Sequence, residues 1–302
     1  MPIIVTTMQT TNTAADIKMK IDVDGRCMDC MFRTFERLMD RFQLNESDRQ
    51  RFFQFYNVTM AKGMGLTMPQ IHRELNREFF RITKIADPYA DEKLKSNLIA
   101  LKIYDDFRPK VIKSQNPFDM ALRLSIAGNI MDYGPNAEFD IQQTIEHVMQ
   151  SQFATDHSTE LKARLKNAKQ VLYLGDNTGE IVFDKLFIEL IMHHNLTYVV
   201  RGSAVLNDAT LQDAEQIGMD QVADVISSGY DAASTVLKEC SQEFLDIYQS
   251  ADVIISKDQG NLEGLIEEQD PRIFYLLMVK CDVIAELLNV PTGSFVVYNS
   301  KL

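Results

Sequence analysis

Three short polar stretches of this 302-residue sequence bring together the side-chain types that phosphate chemistry uses. Gly175-Asp176-Asn177-Thr178-Gly179-Glu180 follows the apolar run Val171–Leu174 and leads at once into an amphipathic segment. An Asp and an Asn at a strand end, followed by a glycine that lets a ligand approach backbone N–H groups, can hold a cation and seat a phosphate. The same stretch also reads as a helix-capping turn. It is not a dinucleotide fingerprint, because the G-x-G-x-x-G spacing is missing and polar side chains stand between Gly175 and Gly179. The second stretch runs from Arg201-Gly202-Ser203 to Asn207-Asp208-Ala209-Thr210. Asp176, Asn177 and Asp208 converging at one sheet edge would form a hard oxygen site of the kind Mg²⁺ or Mn²⁺ accepts. Taken alone, Asn207-Asp208 is also a plausible N-cap. The third stretch is Ser256-Lys257-Asp258-Gln259-Gly260-Asn261. There Lys257 can neutralise phosphate oxygens as a point charge, while Gly260 and Asn261 bring backbone and amide donors close. Glu180 is the nearest spare acid–base group.

These stretches need elements that end at one edge. After Lys169 short β-branched runs recur at Val171–Leu174, Thr197–Val200, Val222–Ile226, Val253–Ile255, Ile273–Met278 and Phe295–Tyr298, separated by amphipathic segments. That alternation predicts βαβ units around a mostly parallel sheet, with ligands beyond the carboxyl ends of the strands. Before Lys166 the apolar residues recur at helical spacing instead, as in Phe32, Phe35, Leu38, Met39 and Phe42, or Ile71, Leu75, Phe79 and Ile82. Asn45-Glu46-Ser47-Asp48, Met68-Pro69 and Asp87-Pro88 mark helix starts. The expected organisation is an extension over residues 1–18, a helical domain over 19–166 and an α/β domain over 167–302, the last an α/β/α sandwich.

Composition bounds the partners. The net charge is −12, and residues 161–302 hold 11 basic against 21 acidic side chains, with no run of Lys and Arg. Such a surface repels a nucleic acid. No segment approaches the length of an apolar membrane span. Four Cys in a chain this long, with no basic leader at its start, fit a reducing, cytoplasmic setting.

The order of GDNTGE, RGSAVLNDATLQDA, SSGYDA and ADVIISKDQGN, with GNIMDYG upstream and VKCDVIAELLNVPTG downstream, resembles the damage-control phosphatase family, formerly catalogued as a domain of unknown function. The resemblance runs from about Met19 to Tyr298, and the CMDC at Cys27–Cys30 resembles the mostly prokaryotic branch that carries an N-terminal CxxC. It implies a helical domain packed on an α/β/α sandwich. It also implies a divalent metal (Mn²⁺, Co²⁺, Ni²⁺ or Mg²⁺) at Asp176, Asn177 and Asp208, Lys257 on the phosphate, and hydrolysis of small phosphate esters. Asn129 and Asp132, in a segment that approaches the active site in the family, are substrate-side candidates, together with Arg201, Ser228, Gly260 and Asn261; Gly134 closing a helix is the other account of the Asn129 segment. Two positions depart from the family pattern. Its Lys-Gly-Gln-Gly-Asn reads Lys257-Asp258-Gln259-Gly260-Asn261 here, adding a carboxylate, and its Asp-x-Pro-Gly reads Asp231-Ala232-Ala233-Ser234.

Cys27 and Cys30, one helical turn apart, could form a redox pair, ligate a second metal or simply pack; Cys281 could lie near the cleft. A structural Zn²⁺ needs four ligands, and only Cys240 and Cys281 remain. The five His are scattered, and Ser203 and Ser228 lack a paired His, so a Ser–His–Asp hydrolase is not expected. Two rivals stand beside the phosphatase: a binding module without turnover, and a protein-carboxyl methyltransferase. The methyltransferase would want an acidic residue after the second strand, where Arg201 stands.

Overall fold

The computed structural model describes residues 24–62, 66–129, 145 and 147–302. Its first helices are α1 Gly25–Arg41, α2 Glu46–Lys62, α3 Met68–Thr83, α4 Ala90–Ile112 and α5 Pro117–Ala127. Their starts follow the local chemistry: Asn45 Oδ1 accepts from the N–H of Asp48 at 3.0 Å, Thr67 and Gln70 form a capping box, and Asp87 Oδ1 accepts from the N–H of Tyr89 at 2.9 Å. The stripes on α1, α2 and α3 close an aromatic core in which the Phe35 ring lies 4.9 Å from Phe52 and 6.1 Å from Phe79.

The remaining described elements alternate: β1 Thr155–Asp156, α6 Ser158–Asn167, β2 Val171–Leu174, α7 Glu180–Ile191, β3 Leu196–Val200, α8 Leu211–Gln216, β4 Asp224–Ser227, α9 Gln242–Ser250, β5 Val253–Lys257, α10 Asp258–Leu265, β6 Ile273–Met278, α11 Asp282–Leu288 and β7 Phe295–Tyr298. Among the described residues the strands form one sheet in the order β1-β7-β6-β5-β2-β3-β4, parallel throughout except where β6 meets β7. The sheet reaches back to Thr155, a two-residue strand too short to leave a periodic signal. Strands β2 and β5 are buried along their whole length, as a sheet covered on both faces requires. Helices α4, α5, α6, α7 and α8 share one core with one face, including Tyr173, Tyr198 and Ile255; α9, α10 and α11 pack on the other with Leu172, Ile254 and Tyr275. This is an α/β/α sandwich preceded by helices, as expected.

Strand order also locates a site. From β2 the chain winds outward through β3 and β4; from β5 it winds the opposite way through β6 and β7. The boundary between β2 and β5 is therefore a topological switch point, where loops leaving adjacent carboxyl ends diverge and open a crevice. Among the described residues no helix is long and apolar enough to cross a membrane.

Candidate active site

The loops leaving β2 and β3 are zipped together by their own backbones. Asn177 and Asp208 form an isolated antiparallel bridge, the N–H of Ala209 donates to the carbonyl of Asp176 at 2.7 Å, and that of Thr178 donates to Asn207 at 2.9 Å. Asp176, Asn177 and Asp208 thus meet at the switch point, all nearly buried. Gly179, at φ 79°, turns the chain into α7, and its N–H is taken by Asn97 Oδ1 of α4 at 2.7 Å.

Arg201 lies at the centre. Its guanidinium donates to Asp176 Oδ1 at 2.6 Å, to Asp208 Oδ2 at 2.5 Å and to Asn261 Oδ1 at 2.8 Å. The planar fork spreads three acceptors from three strand ends, a geometry Lys lacks. Asn261 in turn donates to the carbonyls of Gly175 and Lys257, tying β2 to the start of α10.

Lys257 is placed differently from the phosphate-facing position that the sequence suggests. Its side chain is fully buried, and its ammonium lies 2.6 Å from Asp184 Oδ1, 2.7 Å from Glu180 Oε1, 2.8 Å from the carbonyl of Ser125 and 3.0 Å from that residue's Oγ. An ammonium has three donors, and these acceptors occupy them. Asp184 also accepts from Ser125, Tyr173 and Tyr198, each at 2.8 Å. The charge of Lys257 therefore reaches the crevice through Glu180, whose other oxygen takes the amide of Asn129 at 3.2 Å and that of Asn177 at 3.4 Å. Burial pushes the Glu180 carboxyl up to about 7 against the pull of Lys257.

Asp258 opens α10 in a left-handed conformation, φ 59°. Its carboxylate is buried; Oδ2 accepts from Lys280 Nζ at 2.6 Å, while Oδ1 has no hydrogen-bond partner. Asp176 and Asn129 approach the same carboxyl, and Asn129 Oδ1 is likewise buried without a partner. Burial, and then the charges of Asp208 and Asp258, raise Asp176 well above the usual carboxylate range in spite of Arg201.

Among the described residues the connected buried cluster holds the carboxylates of Asp176, Glu180, Asp184, Asp208 and Asp258 against the cations Arg201, Lys257 and Lys280. Were all five carboxylates ionised, two negative charges would remain; burial first, and like charge second, instead push Asp176 and Glu180 up. Hard oxygen donors with that residual charge suit a divalent ion. No three His, Cys, Asp or Glu side chains among the described residues are arranged to hold a metal ion by themselves, so a cation here would rely on Asp176 and Asp208 with an amide and water.

The other candidates are spread around this centre. Gly260 permits a close approach, since a Cβ there would meet the carbonyl oxygen of Ala233 at 2.2 Å. Ser228 shapes the turn after β4, its Oγ accepting from the N–H of Tyr230 at 3.3 Å. Cys27, Cys30 and Cys281 line one cavity of about 690 Å³, together with His72, Gln259, Gly260, Glu263 and Lys280. Burial, with Glu263 and Cys281 nearby, pushes the Cys27 thiol up to about 11, the opposite of an activated thiolate. Asp231, in the departure Asp231-Ala232-Ala233-Ser234, binds Arg73 and Arg77 of α3 and so fastens the N-terminal helices over the crevice. Asp132 lies outside the described residues. Asn97, Ser125 and Asp184 escape a reading by strand ends, whereas Lys280 stands two residues past β6 and was open to one; Asp184, four residues after Glu180 on the same helix, carried a signal at helical spacing.

Comparison with known proteins bears on this geometry. A family model described as "Damage-control phosphatase ARMT1-like domain" matches residues 23–296. An uncharacterized protein of Methanocaldococcus jannaschii is 39% identical over 292 residues, covering 90% of this chain and 94% of its own. A damage-control phosphatase of Pyrococcus horikoshii is 33% identical over 285 residues, covering 92% and 98%. The crystal structure of a DUF89 family protein from the same organism superposes with a TM-score of 0.85 at 30% identity, covering 93% of this chain and 99% of that one.

Proposed function

The chain belongs to the damage-control phosphatase ARMT1-like family, and from that premise we propose that it is a metal-dependent phosphomonoesterase acting on small, sugar-phosphate-like metabolites. The observation that carries this reading is the buried cluster at the switch point, where Asp176, Asn177 and Asp208 meet and carboxylates outnumber cations. Asp176, Asn177 and Asp208 would hold Mn²⁺, Co²⁺, Ni²⁺ or Mg²⁺. When bound, such an ion supplies Lewis-acid stabilisation to the phosphoryl oxygens.

The chain's own residues do the rest. Arg201 holds Asp176 and Asp208 at fixed spacing, so little reorganisation is needed when the ester arrives. Lys257 positions Glu180, and Glu180 is the acid–base group on the crevice side, oriented by the amides of Asn129 and Asn177. Gly260, closely packed in the first turn of α10, and Asn261 bound the phosphate end; the cavity lined by Cys27, Cys30 and Cys281 receives the organic part.

The test is phosphate release from an aryl phosphate and a panel of sugar phosphates by chelator-treated protein. Activity should be absent in chelator and return with one of the four ions, and Asp176→Asn should remove it. Should the wild type release no phosphate from any ester with any of these ions, a binding module without turnover becomes the better description.

A further inference from the structure

Asp258 has three properties that a residue kept for packing would not combine. It is an L residue at φ 59°, a conformation that glycine adopts freely and a carboxylate-bearing residue adopts at a cost. It is 5% exposed, and one of its oxygens is buried with no donor, which is costly for a charged acceptor. It also lies against Asp176, adding like charge where a carboxylate is already in excess. Lys280 satisfies only the outer oxygen, Oδ2.

A second acceptor in the same condition stands beside it. Asn129 is 1% exposed; its amide nitrogen donates to Glu180 and also approaches Asp258, which leaves its Oδ1 as the end without a partner. Two oxygens on neighbouring buried side chains from separate elements, one charged and one neutral, therefore lack hydrogen-bond partners. Beyond the approach of Asp176 and of the Asn129 amide to Asp258, no described protein group donates to them, and a further partner must donate hydrogen bonds and tolerate a negative surround. Water on a divalent cation does both, because the ion polarises its O–H bonds, and small hard ions keep several waters when only one or two carboxylates bind them.

We propose that Asp258 is a third carboxylate of the cation site, acting through the ion's water shell: Oδ1 of Asp258 and Oδ1 of Asn129 accept from cation-bound water while Lys280 anchors Oδ2. This rests on the metal reading above and adds to it a residue that stands where the family pattern has glycine. It makes Asp258 a positioning residue, whose loss changes how tightly the ion is held.

Calorimetric titration with MnCl₂ of chelator-treated wild type, Asp258→Asn, Asp258→Gly and Asp208→Ala tests it. Asp258→Asn and Asp258→Gly should each weaken Mn²⁺ binding about 10- to 100-fold, the usual effect of removing an outer-shell partner, and Asp208→Ala should weaken it further. The glycine variant suits the left-handed backbone, so its metal-free thermal midpoint should equal or exceed that of wild type, which separates lost affinity from misfolding. Wild-type affinity retained within about twofold in both Asp258 variants overturns the proposal, as does a lowered midpoint with unchanged affinity. Absence of Mn²⁺ uptake by the wild type overturns the metal reading itself, and this inference with it.

Discussion

Replacing Lys257 by Met tests the most consequential difference between sequence and structure. The substitution keeps length and removes one ammonium from between Asp184 at 2.6 Å and Glu180 at 2.7 Å, in a pocket where all three side chains are 0% exposed. Breaking a buried ion pair generally costs about 3–5 kcal/mol. Here the lower end applies at neutral pH. Asp184 keeps three hydroxyl donors, and Glu180, already raised to about 7, takes up a proton. The pH dependence carries the sign. In the wild type Glu180 binds more protons folded than unfolded only up to about 7, so its penalty stops growing there. Without Lys257 the folded pKa rises further, and stability goes on falling by about 1.4 kcal/mol per pH unit above neutrality. The expected loss is thus about 3 kcal/mol at pH 7 and about 4 kcal/mol one unit higher. Urea unfolding followed by far-ultraviolet circular dichroism measures it, because the chain has no Trp. Adding Glu180→Gln to the variant should abolish the extra loss at the higher pH. A loss below about 1 kcal/mol that does not change with pH would refute this reasoning and put the ammonium in the open crevice, facing the phosphate.

Three further outcomes are expected. Ser at both Cys27 and Cys30 should leave the maximal rate in reductant within about tenfold, since they line the cavity wall and touch none of the buried carboxylates; steady-state phosphate release decides it. His72 is held down to about 4 by burial, with Nδ1 beside the Asn76 amide, so below about pH 6.5 the unfolded chain takes up a proton that the folded one refuses. Stability should fall from pH 6.5 to 4 by up to about 3 kcal/mol, and His72→Gln should flatten that slope in urea titrations. Arg201→Met should unfold more easily without metal, and added Mn²⁺ should raise its thermal midpoint by more than it raises that of wild type, because the ion then offsets carboxylates the guanidinium no longer neutralises.

The strands were legible because the largely buried apolar runs in β2, β3, β5, β6 and β7 are bounded by polar residues, and the helix starts because Asn45 caps α2, Pro69 suits the first turn of α3 and Asp87-Pro88 turns the chain before α4. The convergence of Asp176, Asn177 and Asp208 followed from strand ends alone. What the residues around Lys257 do was not legible, because its direction is set by Ser125 and Asp184, which come from α5 and α7 and meet it only once the helices cover the sheet. Strand order was hidden for the same reason: local patterns mark β2 and β5 but say nothing of their being neighbours. Asp258 could be seen as an extra carboxylate, while its left-handed backbone and unpartnered oxygen required coordinates.

The central claim is that the switch-point carboxylates hold the ion that makes phosphate-ester hydrolysis possible. Anomalous diffraction at the manganese edge, from crystals grown with Mn²⁺ and inorganic phosphate, addresses it in one map. The account predicts a peak about 2.0–2.3 Å from oxygens of Asp176 and Asp208, with phosphate density beside it. A peak at the Cys27, Cys30 and Cys281 cavity instead, or none in crystals with ordered phosphate, would contradict it.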